Sequence, residues 1–421
     1  MQYDQEDPEA AGFDVQRLQC IDDLFMRDVE AGKIPGAVVL LARKGTIALW
    51  RAFGFRDREA NVSLQRNDIF RIASMTKPIT SVAAMILAER GSLLLPEPVA
   101  NWLPEFGGMQ VGIEESSAAG GPSLRLVCQE SPMSIYDLLR HTAGLTYGLF
   151  GTSLIKTAYN QAGVFDLHNS NQEMTRKLAA IPLAHQPGRV WDYSMATDVL
   201  GRVIEVVSGK CLAGFLRDEV FTPLGLEDTG FLASEHQAGR IAQPQADRQT
   251  GQRPAVTDHM VAWPWQSGGG GLFSSALDYL RFCEMLLKEG AYTAGRLLNP
   301  ATVRMMTADH LPQDIEWDDV TLALFQAGAP MRAMGQSFGL GFLVRTRAGV
   351  NPLPGSVGDY GWAGALGTYF WIDPAEQLIA IFLSQAPELR LHYRWIMRQL
   401  VYQSLAGDVS KSIPYGKAGG G

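Results

Sequence analysis

The chain has 421 residues, 46% of them hydrophobic and 19% charged, and a net charge of −8 at pH 7. A sizeable core can form, and the length admits several average domains or one large composite unit. The acidic balance, with no basic stripe, argues against a nucleic-acid partner, and no apolar run approaches the ~20 residues of a membrane-spanning helix. The N-terminus, Met1 to Asp7, is polar and acidic and lacks the basic-then-apolar layout of a signal peptide, so a cytoplasmic protein without a membrane partner is expected. Cys20, Cys128, Cys211 and Cys283 lie far apart with no C-x-x-C spacing and read as buried free thiols. The histidines do not cluster in sequence, and no metal or other cofactor is expected.

In chain order, residues 14 to 31 have helical spacing. Gly36 to Arg43 is a short apolar run ended by Lys44-Gly45, and Thr46 to Phe53 resumes an extended pattern, so the pair reads as a hairpin. Pro78 to Arg90 reads as a buried helix stopped by Gly91, opened by Ser74-Met75-Thr76-Lys77. Gly107 to Gly121 is small and polar and reads as a surface loop. Segments 134–141, 172–180, 195–208, 211–219 and 276–289 have helical spacing, separated by joints rich in proline and glycine. Extended patterns return at Gly339 to Thr346, Gly367 to Ile372 and Leu378 to Ser384. A last helix is expected over about Leu389 to Leu405, then a disordered tail from Gly407 to Gly421. Strands, then helices, then strands predict an α/β sandwich: an antiparallel sheet built from both chain ends, with a helical domain inserted. The expected division is residues 1–100 with 256–421 as the α/β domain, and 101–255 as the mainly helical one.

Three segments carry chemistry. Ser74 and Lys77 are three apart, so a helix places them on one face, a nucleophile beside a basic partner. Helix N–H groups at such a start suit a developing anion. Gln186-Pro187-Gly188 leads through a short extended stretch to Tyr193, at a loop-to-helix junction. A phenol beside a cation ionises more readily and can then act as a base toward Ser74. The glycine-rich run Gly358 to Thr368 suggests backbone exposed to a ligand.

In this order, the three elements resemble the serine β-lactamase and penicillin-binding-protein superfamily, and most closely its class C β-lactamase-like branch with the family VIII carboxylesterases and related acyltransferases. The resemblance extends through His141-Thr142-Ala143-Gly144-Leu145, Gly268 to Ser275, and Phe338-Gly339-Leu340-Gly341-Phe342, and runs from about residue 14 to 405. It implies a Ser74 nucleophile, Lys77 as its partner, Tyr193 as base and later acid, and an oxyanion hole formed by the backbone N–H groups of Ser74 and Ala365. It also implies that Trp362-Ala363-Gly364 stands where β-lactamases have K-T-G, and that Met195 stands where they commonly have an asparagine. A cation suited to a β-lactam carboxylate is then replaced by an apolar wall, and an amide contact is lost. The reading this implies is a carboxylesterase acting on short-chain, apolar, small-molecule esters, with weak β-lactamase side activity. Acyl transfer to an alcohol or amine, β-lactamase or D-aminopeptidase activity, and a non-enzymatic binding module are the alternatives.

Gly335-Gln336-Ser337-Phe338-Gly339 also matches G-x-S-x-G, with Asp359, Asp373 and His392 downstream. That nucleophile elbow needs a strand before the serine and a helix after it. Here a loop-like stretch precedes Ser337 and a strand-like one follows, so Ser74 is the favoured nucleophile.

Overall fold

The computed structural model describes residues 5–117, 121–247 and 250–406. Both ends of the chain build one open sheet. Its N-terminal strands are β1 (Gly36–Arg43), β2 (Thr46–Asp57) and β3 (Val62–Ser63). Its C-terminal strands are β4 (Gln336–Phe338), β5 (Leu343–Arg345), β6 (Tyr360–Ala363), β7 (Tyr369–Asp373) and β8 (Leu378–Ser384). The spatial order is β4-β5-β6-β7-β8-β1-β2-β3, each neighbouring pair antiparallel. The β1–β2 connection is Lys44-Gly45, both residues at positive φ, as a tight two-residue hairpin turn requires. The first and last strands join in the middle of the sheet, with Ala37 opposite Ser384 and Arg43 opposite Leu378.

All of β1 is buried, because both faces of the sheet are covered. Val38, Leu40 and Ala42 belong to the large core shared with α2 (Thr76–Glu89), α3 (Ala196–Ser208) and α4 (Ala276–Leu287). Ala37, Val39 and Leu41 face the opposite core, with Phe25 of α1 (Val15–Glu30) and Tyr393 and Met397 of α5 (Arg390–Gln403). The two-residue alternation of a strand thus serves two helical layers. The sandwich expected from the sequence is present, with a helical region inserted between the two halves of the sheet.

Four local expectations need correction. Residues 107–121 are not a loop throughout: Gln110–Ser117 pairs with Gly121–Cys128 as a hairpin. Small and polar residues hid these strands, which gain their support from outside the hairpin. Gly112 donates to Leu183 O and packs close to Ile155 and Pro182. Second, the expected strand over 339–346 is split. Gly339 to Phe342 forms the link between β4 and β5, and Gly341 has a φ of 96°. Third, the glycine-rich run read as exposed backbone contains strand β6, whose Tyr360, Gly361 and Trp362 are buried. Fourth, all four cysteines are free, but only Cys283 is buried. The tail expected from Gly407 onward lies outside the described residues.

One buried ionic cluster ties the C-terminal helix to the sheet. Asp359 accepts from Arg345 Nε at 2.7 Å and from Arg398 Nη1 and Nη2 at 2.8 and 3.1 Å. All three residues are buried. Asp359→Asn would leave two guanidinium groups poorly compensated, and a loss of about 3–5 kcal/mol of stability is expected in urea unfolding. A loss below about 1 kcal/mol would mean that water or rearrangement answers these charges.

Candidate active site

A single 3₁₀ turn, Ala73–Met75, leads into α2, and Ser74 sits on it. The preceding Ala73 has a φ of 45°, a conformation that a residue with a side chain adopts only at a cost. Strand β6 runs beside this turn. Gly364, just after β6, lies so close that a Cβ on it would be 2.3 Å from Ile72 O. Thr368 Oγ1 donates to the same carbonyl at 3.2 Å. The close approach requires glycine at 364.

Lys77 is 1% exposed, in the first turn of α2 and three residues beyond Ser74. Its Nζ donates to Gly269 O at 2.7 Å, to Tyr147 Oη at 3.0 Å and, at longer range, to Ser74 Oγ at 3.5 Å. Three acceptors therefore use the three donors of the amine. Nζ also lies 4.5 Å from the centroid of the Tyr193 ring. Gly269 is positioned by Asp198, whose Oδ1 accepts from Gly269 N at 3.1 Å and from Ser267 Oγ. A Cβ at 269 would collide with Asp198 Oδ2 at 2.3 Å, which accounts for this glycine within the run 268–271. Burial pushes the Asp198 carboxyl up, while the Lys77 charge and the Ser267 and Gly269 donors pull it back.

Burial likewise pushes the Tyr147 phenol well above its ordinary value, reinforced by the charge of Asp198. Tyr147 therefore keeps its proton at neutral pH and serves Lys77 as an acceptor. Neither Tyr147 nor Asp198 was singled out from sequence. Tyr147 follows the His141–Leu145 motif by two residues, and Asp198 follows Tyr193 by five, so both signals lay beside motifs already noted.

Tyr193 precedes α3. Its ring packs on His141, Phe325, Trp362 and Tyr147 at centroid distances of 5.0 to 5.4 Å. Its Oη accepts from Trp362 Nε1 at 3.3 Å. His141 is held neutral: burial and the Lys77 charge drive its pKa well below the usual histidine range. Its Nδ1 accepts from Ser194 N at 3.3 Å, which makes it a support for the Tyr193 backbone.

Ser74, Tyr193, Met195 and Ala365 line one cleft of about 650 Å³, walled by aromatic residues including Phe150 and Trp265. Trp362 and Ala363 do not line it. They border a separate cavity of about 40 Å³, and Trp362 is 3% exposed. The tryptophan expected as a substrate wall stands behind Tyr193 instead. Strand alternation turns Tyr360 and Trp362 into the core shared with α2, whereas Ala363 packs toward the other core.

His185, Asp192 and Asp318 do converge, with ligand-type atoms within 4.8 Å of one another. Thr321 Oγ1 lies within hydrogen-bond distance of both carboxylates, at 3.0 and 2.9 Å, with one proton to donate between them, and Lys156 Nζ is 3.6 Å from Asp318, so a cation already faces them. The G-x-S-x-G segment assembles no site. Ser337 is buried on β4 and bonded to Asp309, Asp359 belongs to its two arginines, Asp373 accepts from Tyr402 Oη, and His392 is exposed.

The family described as Beta-lactamase matches residues 21–402. Protein Rv1367c from Mycobacterium tuberculosis is 36% identical over 367 residues, covering 86% of this chain and 88% of that protein. Esterase EstB from Burkholderia gladioli is 31% identical over 404 residues, covering 90% and 93%. Among solved structures, EstCE1, described as a hydrolase with promiscuous acyltransferase activity, superposes with a TM-score of 0.76 at 28% identity, covering 92% of this chain and 99% of that one.

Proposed function

The chain belongs to the β-lactamase family, in its esterase and acyltransferase branch, and we propose that it is a serine carboxylesterase working through an acyl-enzyme on Ser74. The observation that carries the reading is the Lys77 amine, buried, 3.5 Å from Ser74 Oγ and under the Tyr193 ring, behind the Ser74 and Tyr193 that line an apolar cleft. In the proposed reaction Ser74 Oγ attacks the ester carbonyl and its proton passes to the Lys77–Tyr193 unit. The N–H groups of Ser74 and Ala365 receive the oxyanion. The alcohol leaves with the proton, and water attacks the acyl-enzyme by the same route in reverse.

The preferred substrates are neutral esters with a short apolar acyl group. A cleft of about 650 Å³ exceeds what such an acyl group needs and leaves room for a large alcohol portion. Leu149 and Leu232, which line it, are 62% and 52% exposed and make its rim apolar. A second reading, transfer of the acyl group to an alcohol acceptor, is favoured by the same spare volume and by the description of EstCE1. One experiment addresses both: turnover of p-nitrophenyl butyrate and nitrocefin, each with and without added alcohol. Hydrolysis of the ester with little nitrocefin turnover supports the esterase. Ester product formed with the added alcohol supports transfer. A preference for nitrocefin would overturn the first reading.

In this scheme Trp362 acts by holding the Tyr193 hydroxyl. Trp362→Phe keeps the aromatic packing and removes one hydrogen bond worth about 0.5–1.5 kcal/mol, so kcat is expected to fall roughly 2- to 10-fold with KM little changed. A rise in KM alone would return the residue to the substrate wall.

A further inference from the structure

Arg394, on α5, makes a contact that the reaction scheme does not yet use. Its Nη2 donates to Gly364 O at 2.6 Å. Arg394 lines the small cavity behind Trp362 and Ala363, not the cleft. Among the described residues it forms no ion pair, and its Nε is buried without a partner. Burial, with the like charge of Arg390, pulls its pKa down to about 10. Its side chain is partly buried and has no carboxylate partner among the described residues, so an ion pair does not explain its placement.

The acceptor it binds is informative. Gly364 O and Ala365 N–H belong to one peptide group, and no peptide among the described residues is cis. In a trans peptide the two point in opposite directions, so whatever holds the oxygen aims the N–H. Gly364 O also accepts from Gly367 N at 3.2 Å, closing a turn, and Gly364 N donates to Thr368 O at 2.9 Å. Ala365 N–H has no backbone acceptor among the described residues, and Ala365 stands on the cleft with Ser74. A cation on the carbonyl also draws electron density through the peptide and makes its N–H a stronger donor.

We propose that Arg394 is a positioning residue for acyl transfer, holding and polarising the Gly364–Ala365 peptide so that the Ala365 N–H meets the oxyanion already aimed. This rests on the reading of Ser74 as nucleophile and Ala365 as oxyanion donor. Arg394 itself touches no reacting atom.

The test uses the intact chain and three readouts: kcat and KM for p-nitrophenyl butyrate, Ki for phenylboronic acid, and thermal stability. The boronate forms an anionic tetrahedral adduct on a serine and so reports the oxyanion site. Removing an oxyanion donor outright costs about 10²–10³ in kcat, and loosening one is expected to cost about 10- to 100-fold in Arg394→Met, with KM nearly unchanged. The boronate Ki is expected to rise by the same factor, and added ethylguanidinium to restore part of both. Arg394→Gln, neutral and shorter, gives the same parallel loss and serves if the methionine variant fails to fold. A folded variant with unchanged kcat and boronate Ki overturns the proposal. So does a fall in kcat with boronate affinity retained, or a loss confined to thermal stability. If Ser74→Ala keeps turnover, the underlying reading fails and takes this one with it. If Ser74→Ala is inactive and Arg394→Met behaves as wild type, only the role of Arg394 is lost.

Discussion

Ser74→Ala is expected to lower kcat for p-nitrophenyl butyrate by about 10⁴- to 10⁶-fold, the loss typical of removing a nucleophile from a coupled unit. The fold should survive. Ser74 is only partly buried, and its Oγ makes one long contact, to Lys77 Nζ at 3.5 Å. The control is Ser337→Ala, which removes a buried hydroxyl bonded to Asp309. That change should cost about 1 kcal/mol of stability and leave turnover within a few-fold. A dead Ser337→Ala protein beside a live Ser74→Ala protein would move the reaction to the other serine motif.

The second large effect is expected from the Lys77–Tyr193 unit. Lys77→Met and Tyr193→Phe should each lower kcat by about 10³- to 10⁴-fold, as loss of a positioned acid–base group does. The double variant should be little worse than either single one, because the groups move one proton together. Multiplicative losses would mean independent roles. The geometry adds a condition. Lys77 Nζ is bonded to Tyr147 and Gly269, while it meets Tyr193 at the ring face. Tyr147→Phe should therefore slow the reaction less than Tyr193→Phe, since it removes an acceptor that holds the amine and leaves the proposed proton carrier in place. The reverse order would assign the acid–base role to Tyr147.

Why some of this was legible in the sequence and some was not follows from the range of the interactions. Ser74 and Lys77 are set by one turn of chain, so spacing alone brings them together. The hairpin at Lys44-Gly45 is equally local, since its turn chemistry is written in two residues. Tyr147, Asp198 and Gly269 converge on Lys77 from separate segments, and no local pattern announces that meeting. Trp362 reads in sequence as part of a glycine-rich stretch ahead of a strand and as a wall of the substrate site, whereas it lies on β6 with its indole in the core. Alternation along β6 decides its face, and the bulk of Tyr193 decides that the indole does not reach the cleft. The hairpin at 110–128 was hidden for the opposite reason, because Gly, Ser, Glu and Pro residues interrupt its strand signal and part of its support comes from Leu183, Ile155 and Pro182. Arg394 gave no signal in sequence, since a lone arginine on a helix acquires meaning only from the carbonyl it meets.

The central claim is that Ser74 becomes acylated, and the most direct measurement is intact-protein mass spectrometry after reaction with a p-nitrophenyl phosphonate, followed by peptide mapping. One phosphonyl group per chain, on the peptide carrying Ser74 and absent in Ser74→Ala, is the expected result. An adduct on the peptide carrying Ser337, or no adduct in a protein that still hydrolyses esters, would contradict the account.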